Sequence, residues 1–303
     1  MHTKNTQGKS RTLLNLNTLA RFAFIALACF SAATSTLYAQ EFAALVTPPR
    51  VEARVEAGKT LRQIIEITHA GTQTSAYRVY TADWTFAADG TVTFFEPLQP
   101  NSCRPWVALE RTELVLAPQA KRRFRFEVSA PPDAPAGECR FAIMIEGRDV
   151  SVTMKDGVNF PMAGRIGVIV YASVGNGAPV LEVISSASKL VEGRATAMLQ
   201  VRNTGNAHGR LAGILAGKDS RGTAFELTPA DVPILIGETR SIALLVQPEG
   251  KDNLPPTLIF PISVDGQLEW STKKTPLKQT FAAVDAAPPA PVTAKANAGL
   301  PAK

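Results

Sequence analysis

The chain has 303 residues, and its 45% hydrophobic content is the share expected of a globular protein. The formal net charge is +6, but four basic residues and no acidic ones lie in the first 39 positions, so the remainder has a net charge of +2. This near-neutral remainder argues against nucleic-acid binding, which needs a basic face.

The first 39 residues have the pattern of a secretory signal peptide. Basic residues precede the short apolar run 22–30, and small residues lead up to Ala39. We therefore expect cleavage after Ala39 and export of the mature chain. The apolar run is too short to span a bilayer and no other stretch reaches about 18 apolar residues, so we expect no membrane span. The segment Ala26–Cys29 loosely resembles a lipoprotein cleavage box, which leaves lipid anchoring at Cys29 as an alternative.

The mature sequence alternates between apolar and polar residues. Phe124, Phe126 and Val128, for example, are separated by single charged residues, which is typical of a strand with one buried face. No stretch combines a helical period with capping residues. The pattern therefore predicts an all-β fold.

Turns and composition divide this β region. Asp89-Gly90, Asp156-Gly157 and Asp265-Gly266 are turn signals, and the last predicts a hairpin between 259–264 and 267–270. The small-residue stretch 173–179 suggests a domain boundary.

We accordingly predict two tandem β-sandwiches, an amino-terminal domain at 40–175 and a carboxy-terminal domain at 176–282. The Ala/Pro-rich tail at 283–303 has no apolar period, and we predict that it is disordered.

Two cysteines remain after the leader, Cys103 and Cys139. An even pair in an oxidising exported compartment most simply forms one disulfide. In the chain-entropy model this bridge stabilises the fold by roughly 3–4 kcal/mol. Redox-active pairs usually have the spacing Cys-x-x-Cys, so we favour a structural bridge.

A segment late in the first domain is the main candidate for partner binding. Val158, Phe160 and Met162 alternate with polar or small residues, and Pro161 among them is typical of an edge strand. The apolar run 166–171 that follows suits a buried strand. An exposed strand edge can accept an extended segment of a partner. Alternatively, the three apolar side chains complete the core of their own domain.

The sequence contains no convincing catalytic motif. His69 and His208 lie beside glycine and small polar residues, where we expect exposed turns, and neither has a second ligand at metal-binding spacing. Nucleophile-elbow and phosphate-loop motifs are also missing from the sequence. We expect Asp83 and Glu96 to be exposed loop residues. The sequence therefore predicts no enzyme, no catalytic residue, no metal and no cofactor.

Several short motifs resemble those of one known family. They are Thr47-Pro48-Pro49-Arg50-Val51 with a turn at Gly58 and a strand at 61–68, Leu114–Gln119 followed by Arg123 and Arg125, Pro135–Phe141, Val201–Asn206 and the Asp265-Gly266 pair. Together with a signal peptide, this pattern resembles the periplasmic pilus-assembly chaperones, the PapD-like proteins with two immunoglobulin-like domains. The resemblance covers nearly all of residues 42–281, and it lies in the pattern of residue types more than in identical residues.

This resemblance implies a periplasmic chaperone without cofactors. Such a protein caps pilin-like or surface-fibre subunits by lending them an edge strand, and an outer-membrane usher is a possible further partner. The alignment places the strand-donating side chains at Val158, Phe160 and Met162.

The family also holds the terminal carboxylate of the subunit with two cations in the cleft between its domains. By the resemblance, the first cation is Arg50, or Arg54 if the register slips. The second is a lysine, and Gly167 stands at its place in this chain. Arg165 lies two residues earlier on the same side of a strand and could substitute. A charged hydrogen bond of this kind contributes roughly 1.5–3 kcal/mol.

Two other interpretations remain open. The missing lysine and the Ala/Pro tail also suit an exported structural or adhesive protein of tandem sandwiches that has no client subunit. A periplasmic hydrolase is the third interpretation, and it requires a carboxylate or histidine constellation that forms only in three dimensions.

Overall fold

A computed structural model describes residues 42–148, 151–153, 159–161, 164–248 and 255–284. The predicted all-β fold of two tandem sandwiches is confirmed, because these residues form nineteen strands, and their one helical element is the 3₁₀ turn Arg104–Trp106. No helix in this described part is therefore long and apolar enough to cross a membrane. The leader at 1–39 and the tail from 285 onwards lie outside the described residues, as do Val158 and Met162.

The first sandwich and the ribbon beside it in sequence comprise twelve strands. These are β1 (Ala44–Thr47), β2 (Arg50–Val55), β3 (Thr60–His69), β4 (Ser75–Phe86), β5 (Val92–Phe95), β6 (Val107–Leu109), β7 (Glu113–Leu116), β8 (Lys121–Ser129), β9 (Gly137–Gly147), β10 (Ser151–Thr153), β11 (Asn159–Pro161) and β12 (Arg165–Val174). One sheet has the order β1-β3-β8-β6. The other has the order β2-β12-β9-β4-β5, and β7 also pairs with β4. Strand β2 runs parallel to β12, whereas the other pairs are antiparallel.

The core between these two sheets follows the predicted alternation. Phe124, Phe126 and Val128 on β8 are fully buried, while Arg123 and Arg125, which alternate with them, are exposed. Side chains from β9 and β12 pack against them from the facing sheet. Burial of each such side chain contributes about 1.5–3 kcal/mol, so this face largely determines how the sheets stack.

The predicted disulfide between Cys103 and Cys139 is present, with Cα atoms 5.7 Å apart. Cys103 precedes the 3₁₀ turn that leads into β6, and Cys139 lies in β9 of the opposite sheet. Both residues belong to the buried core. The bridge therefore ties together the two layers of the first sandwich.

The second sandwich has its own core and seven strands. These are β13 (Leu181–Val191), β14 (Arg194–Asn203), β15 (Leu215–Lys218), β16 (Ala224–Pro229), β17 (Thr239–Val246), β18 (Ile262–Trp270) and β19 (Lys273–Phe281). Their order is β13-β14-β17-β16-β15-β18-β19. The two ends of this path meet, because the Ser186 hydroxyl donates to Gln279 Oε1 at 3.2 Å and the Ser188 hydroxyl donates to the carbonyl oxygen of Ala282 at 2.6 Å.

The turn predictions had different outcomes. Asp89-Gly90 does connect β4 to β5, with Gly90 at φ +89°. The hairpin predicted at Asp265-Gly266 is wrong, because both residues lie inside the continuous strand β18. A Cβ atom on Gly266 would lie 2.9 Å from Leu215 Cδ2 and 3.1 Å from the carbonyl oxygen of Ile214. This glycine therefore permits β15 to approach closely and does not form a turn.

Strands β10 and β11 form an antiparallel two-stranded ribbon. Phe160 lies in β11, opposite Val152 of β10. The Asp156-Gly157 turn signal between these strands lies outside the described residues.

Candidate functional site at the start of β12 and the sandwich junction

The two edges of β12 are paired over different lengths. Strand β9 pairs with it along all of Arg165–Val174, whereas β2 pairs on the other edge with Ile169–Val174. Within the described ranges, no strand pairs with the first four residues of β12 on the β2 side. Among the described residues, the start of β12 therefore presents an open strand edge.

The hydrogen bonds of the residues on either side of this edge show which of its backbone groups point away from β9. The N–H of Ile169 donates to the carbonyl oxygen of Pro49 at 3.3 Å, on the β2 side. The carbonyl oxygen of Gly164 accepts from the N–H of Gly147 at 3.0 Å, on the β9 side. Since these groups alternate sides along a strand, the N–H and C=O groups of Arg165 and Gly167 face the open edge. An added strand finds two donors and two acceptors there.

Arg165 is exposed and begins a row of alternating charges across the sheet. It pairs in register with Glu146, which pairs with Arg78, which in turn pairs with Glu113. Burial raises the pKa of the neighbouring Tyr80 phenol and a hydrogen bond to Glu146 adds to this rise, while a hydrogen bond with Arg165 opposes it. Arg165 is thus a cation at the beginning of the open edge.

Arg50, the other predicted anchor residue, is already paired with internal carboxylates. Its Nε lies 2.7 Å from Glu52 Oε1, and its Nη1 lies 3.4 Å from Asp231 Oδ2 of the second sandwich. Arg50 is in register with Ile169, four residues along β12 from Arg165, which is a separation of about 13 Å along the strand. The structure does not bring the two cations together.

Arg54 and Gly167, the other two positions considered for the carboxylate anchor, also make contacts within the chain. Arg54 Nη1 donates to the carbonyl oxygen of Gly175 at 2.7 Å. A Cβ atom on Gly167 would lie 2.6 Å from the Phe94 ring and 3.1 Å from Met144 Sδ. The ring of Phe94 therefore covers Gly167, which gives a physical reason for glycine at this position.

A charged cluster at the junction of the two sandwiches is centred on His208 and Glu138. The backbone N–H of His208 donates to Glu138 Oε2 at 3.0 Å, and its Nδ1 also bonds this oxygen. The imidazole stacks on the Tyr171 ring, with centroids 3.6 Å apart. The His208 side chain is 8% exposed and that of Glu138 is 0% exposed, so the prediction of an exposed turn at His208 is wrong.

A second group of charges surrounds this pair. His208 Nε2 lies 3.7 Å from Glu52 Oε1, and Arg210 Nη1 lies 2.9 Å from Asp231 Oδ1. A hydrogen bond from His208 lowers the pKa of Glu52, although burial opposes this shift. Burial raises the pKa of the Tyr171 phenol to about 12. The sequence carried no signal of this cluster, because its members come from distant segments of both sandwiches.

An apolar contact and an arginine complete the junction. Leu235 of the second sandwich is buried against an aromatic cluster on the outer face of the first, which includes Trp84 and Tyr171. Arg240 is 7% exposed and donates to the carbonyl oxygens of Phe86 and Ala87, each at 2.8 Å. In the described part of the chain, no group of three or more histidine, cysteine or acidic residues could hold a metal ion.

No protein-family model matches the chain, and no curated protein matches it in sequence. Among solved structures, it is similar to the E. coli chaperone DraB, with 10% identity over 78% of this chain and 99% of that one, and a TM-score of 0.41. It is also similar to the Pseudomonas aeruginosa CupB2 chaperone, with 10% identity over 78% and 100% of the two chains and a TM-score of 0.40. A third similar structure is that of the Salmonella enterica SafA pilin in complex with the SafB chaperone. The identity is 11% over 80% of this chain and 98% of that one, and the TM-score is 0.42.

Proposed function

We propose that the chain is a periplasmic chaperone that binds subunits of pili or related surface fibres by lending them a strand edge. The observation that supports this proposal most directly is the open edge of β12 at Arg165–Val168. An unpaired edge of this kind is a template for a strand of another protein, and a partner strand that occupies it is kept from other pairings.

In this proposal, backbone and side chains contribute differently to binding. The N–H and C=O groups of Arg165 and Gly167 pair with a strand of the subunit. The apolar side chains of Val158, Phe160 and Met162, which precede β12 in sequence, fill the gap that a missing strand leaves in the subunit. Backbone pairing supplies affinity, and the alternating side chains supply specificity.

We further propose that Arg165, more than Arg50, contacts the terminal carboxylate of the subunit. Arg165 is exposed at the open edge, whereas Arg50 is held between Glu52 and Asp231. Export by the leader at 1–39 and delivery to an outer-membrane usher belong to the same proposal. Neither step requires a cofactor.

Co-expression with candidate pilin-like subunits, followed by pull-down, tests strand lending. We expect Phe160→Asp to abolish capture, because a charge cannot enter an apolar gap without a large desolvation penalty. Leu190→Asp is the matched control, since Leu190 is 50% exposed and belongs to β13 of the second sandwich. Unchanged capture by Phe160→Asp would exclude this mechanism.

Two substitutions at Arg165 distinguish the contribution of its charge to subunit binding from the contribution of its backbone N–H. Arg165→Ala removes the charge and should weaken capture about tenfold, the equivalent of about 1.5 kcal/mol. Arg165→Pro also removes an N–H at the open edge, and proline is tolerated at the first residue of a strand. We expect the proline variant to capture less subunit than the alanine variant, and equal capture by both would argue against pairing at this N–H.

One observation favours the alternative of a structural or adhesive protein without a client. Arg50 is already paired with carboxylates of the chain, and the Phe94 ring covers Gly167, so one of the two predicted cations has internal partners. Absence of any usher or pilin-like reading frame beside the gene, together with failure to capture subunits, would support this alternative.

A further inference from the structure

His208 is enclosed by charged and aromatic groups from both sandwiches. Glu52 on β2, Glu138 on β9 and Tyr171 on β12 face it from the first sandwich. From the second sandwich, Arg210 lies beside it and shares Glu52 as a partner, at 3.8 Å. The cluster is completed by Arg50 and Asp231, which form an ion pair across the junction.

His208 is the group that bonds the buried carboxylate of Glu138. Glu138 Oε2 accepts bonds from both the ring and the backbone N–H of His208, and the side chain has no exposed surface. Its other oxygen, Oε1, has no hydrogen-bond partner among the described residues. The nearby arginines are engaged elsewhere, since Arg210 and Arg50 both contact Asp231 and Glu52.

We propose that this cluster is a pH-dependent latch between the two sandwiches, which is closed while His208 is protonated and loosens when it loses its proton. A protonated imidazole gives the buried carboxylate of Glu138 a counter-charge. A neutral imidazole leaves that carboxylate buried without one, which is strongly unfavourable in a protein interior.

The direction of the pH dependence follows from His208. Burial by itself lowers the pKa of the imidazole, but the interactions with the Glu138 and Glu52 carboxylates outweigh it and raise the pKa above the ordinary value of 6.5. Because the closed state holds the proton more tightly than the open state, the latch is fully stable below pH 6.5. As pH rises from 6.5 through the raised pKa, the opening equilibrium should increase by up to about tenfold per pH unit.

Hydrogen–deuterium exchange of the full mature chain from about pH 5 to about pH 9, corrected for intrinsic exchange, measures this opening. We expect protection of segment 205–211 to decrease as pH rises through the His208 titration. NMR titration of the His208 ring should give a midpoint above 6.5. Constant protection across this pH range, or a midpoint at or below 6.5, would overturn the proposal.

Two variants identify the groups that are responsible. In Glu138→Gln the buried group needs no counter-charge, so segment 205–211 should stay protected, and its loss of protection with rising pH should be smaller than in the wild type because Glu52 alone then raises the pKa of His208. In His208→Gln no proton can be lost, so exchange at this segment should be faster than in the wild type at acidic pH and independent of pH. Retention of the wild-type pH profile by either variant would contradict the latch. If a variant does not fold, NMR titration of the His208 ring in the wild-type protein still tests the proposal.

Discussion

Asp83 shows how one polar side chain organises a buried region of the first sandwich. The Asp83 and Arg104 side chains are each 12% exposed, and Arg104 Nη1 lies 3.1 Å from Asp83 Oδ2. Asp83 also accepts from the N–H of Gln99 at 3.0 Å and from the Ser102 hydroxyl at 2.6 Å. Arg104 Nη2 donates to the carbonyl oxygen of Thr81 at 2.6 Å. This pair fixes the segment that precedes Cys103.

We expect Asp83→Ala to lower the free energy of unfolding by about 3–5 kcal/mol, because it leaves the Arg104 cation buried without its carboxylate. Glu127→Ala is the matched control. Glu127 pairs with Arg62 at 2.7 Å, but their side chains are 41% and 75% exposed, so the loss should be at most about 1 kcal/mol. Urea unfolding followed by circular dichroism measures both values, and similar losses in the two variants would contradict the role given to Asp83.

At the scale of single residues, the exposure of polar side chains was the property least predictable from the sequence. Asp83 and His69 were expected in exposed loops, yet both lie in strands and are buried. The Tyr77 hydroxyl bonds His69 Nδ1 at 2.6 Å. Glycine near His69 suggested an exposed turn, whereas burial of a polar side chain depends on partners that the fold supplies. Glu96 is exposed as expected, and it pairs with Arg78.

At the scale of strands, the period-two pattern was a reliable guide, because it reports directly which face of a sheet is buried. It predicted the buried positions of β8, and the apolar run 166–171 does form a strand with a buried face. The Asp265-Gly266 signal failed because a dipeptide describes local preference, whereas β15 requires a residue without a side chain beside it. Pro161 suggested an edge strand that continues into the apolar run, but it lies in the separate strand β11, which pairs with β10, so the sequence did not locate the edge at Arg165–Val168.

The contact between β5 and β12 explains the departure at Gly167 and can be tested. We expect Gly167→Ala to destabilise the protein by about 1–3 kcal/mol, since its methyl group would meet the Phe94 ring. In a Phe94→Ala background, the same change should cost much less, because the obstructing ring is gone. A double-mutant cycle by urea unfolding measures this coupling, and additive effects of the two substitutions would show that Phe94 is not the obstacle.

At the scale of the whole molecule, β12 serves two purposes. Its first residues, Arg165–Val168, form the open edge, while Tyr171 further along stacks on His208 at the junction. Each sandwich has a separate core, so their relative placement depends on the junction contacts. These contacts lie on the outer face of the sheet that contains the open edge. A change in the junction therefore alters how the second sandwich is held next to the proposed subunit site.

Arg240 is the junction contact whose contribution can be separated from the His208 cluster. It donates to the carbonyl oxygens of Phe86 and Ala87, and its guanidinium lies 4.3 Å from the centroid of the Phe86 ring. We expect Arg240→Ala to increase hydrogen exchange in segment 86–91 and to enlarge the radius of gyration in small-angle scattering, at every pH. Arg194→Ala, at an exposed position that begins β14, should change neither quantity. If Arg240→Ala left both quantities at their wild-type values, the apolar contact of Leu235 and the His208 cluster would hold the sandwiches together without the arginine.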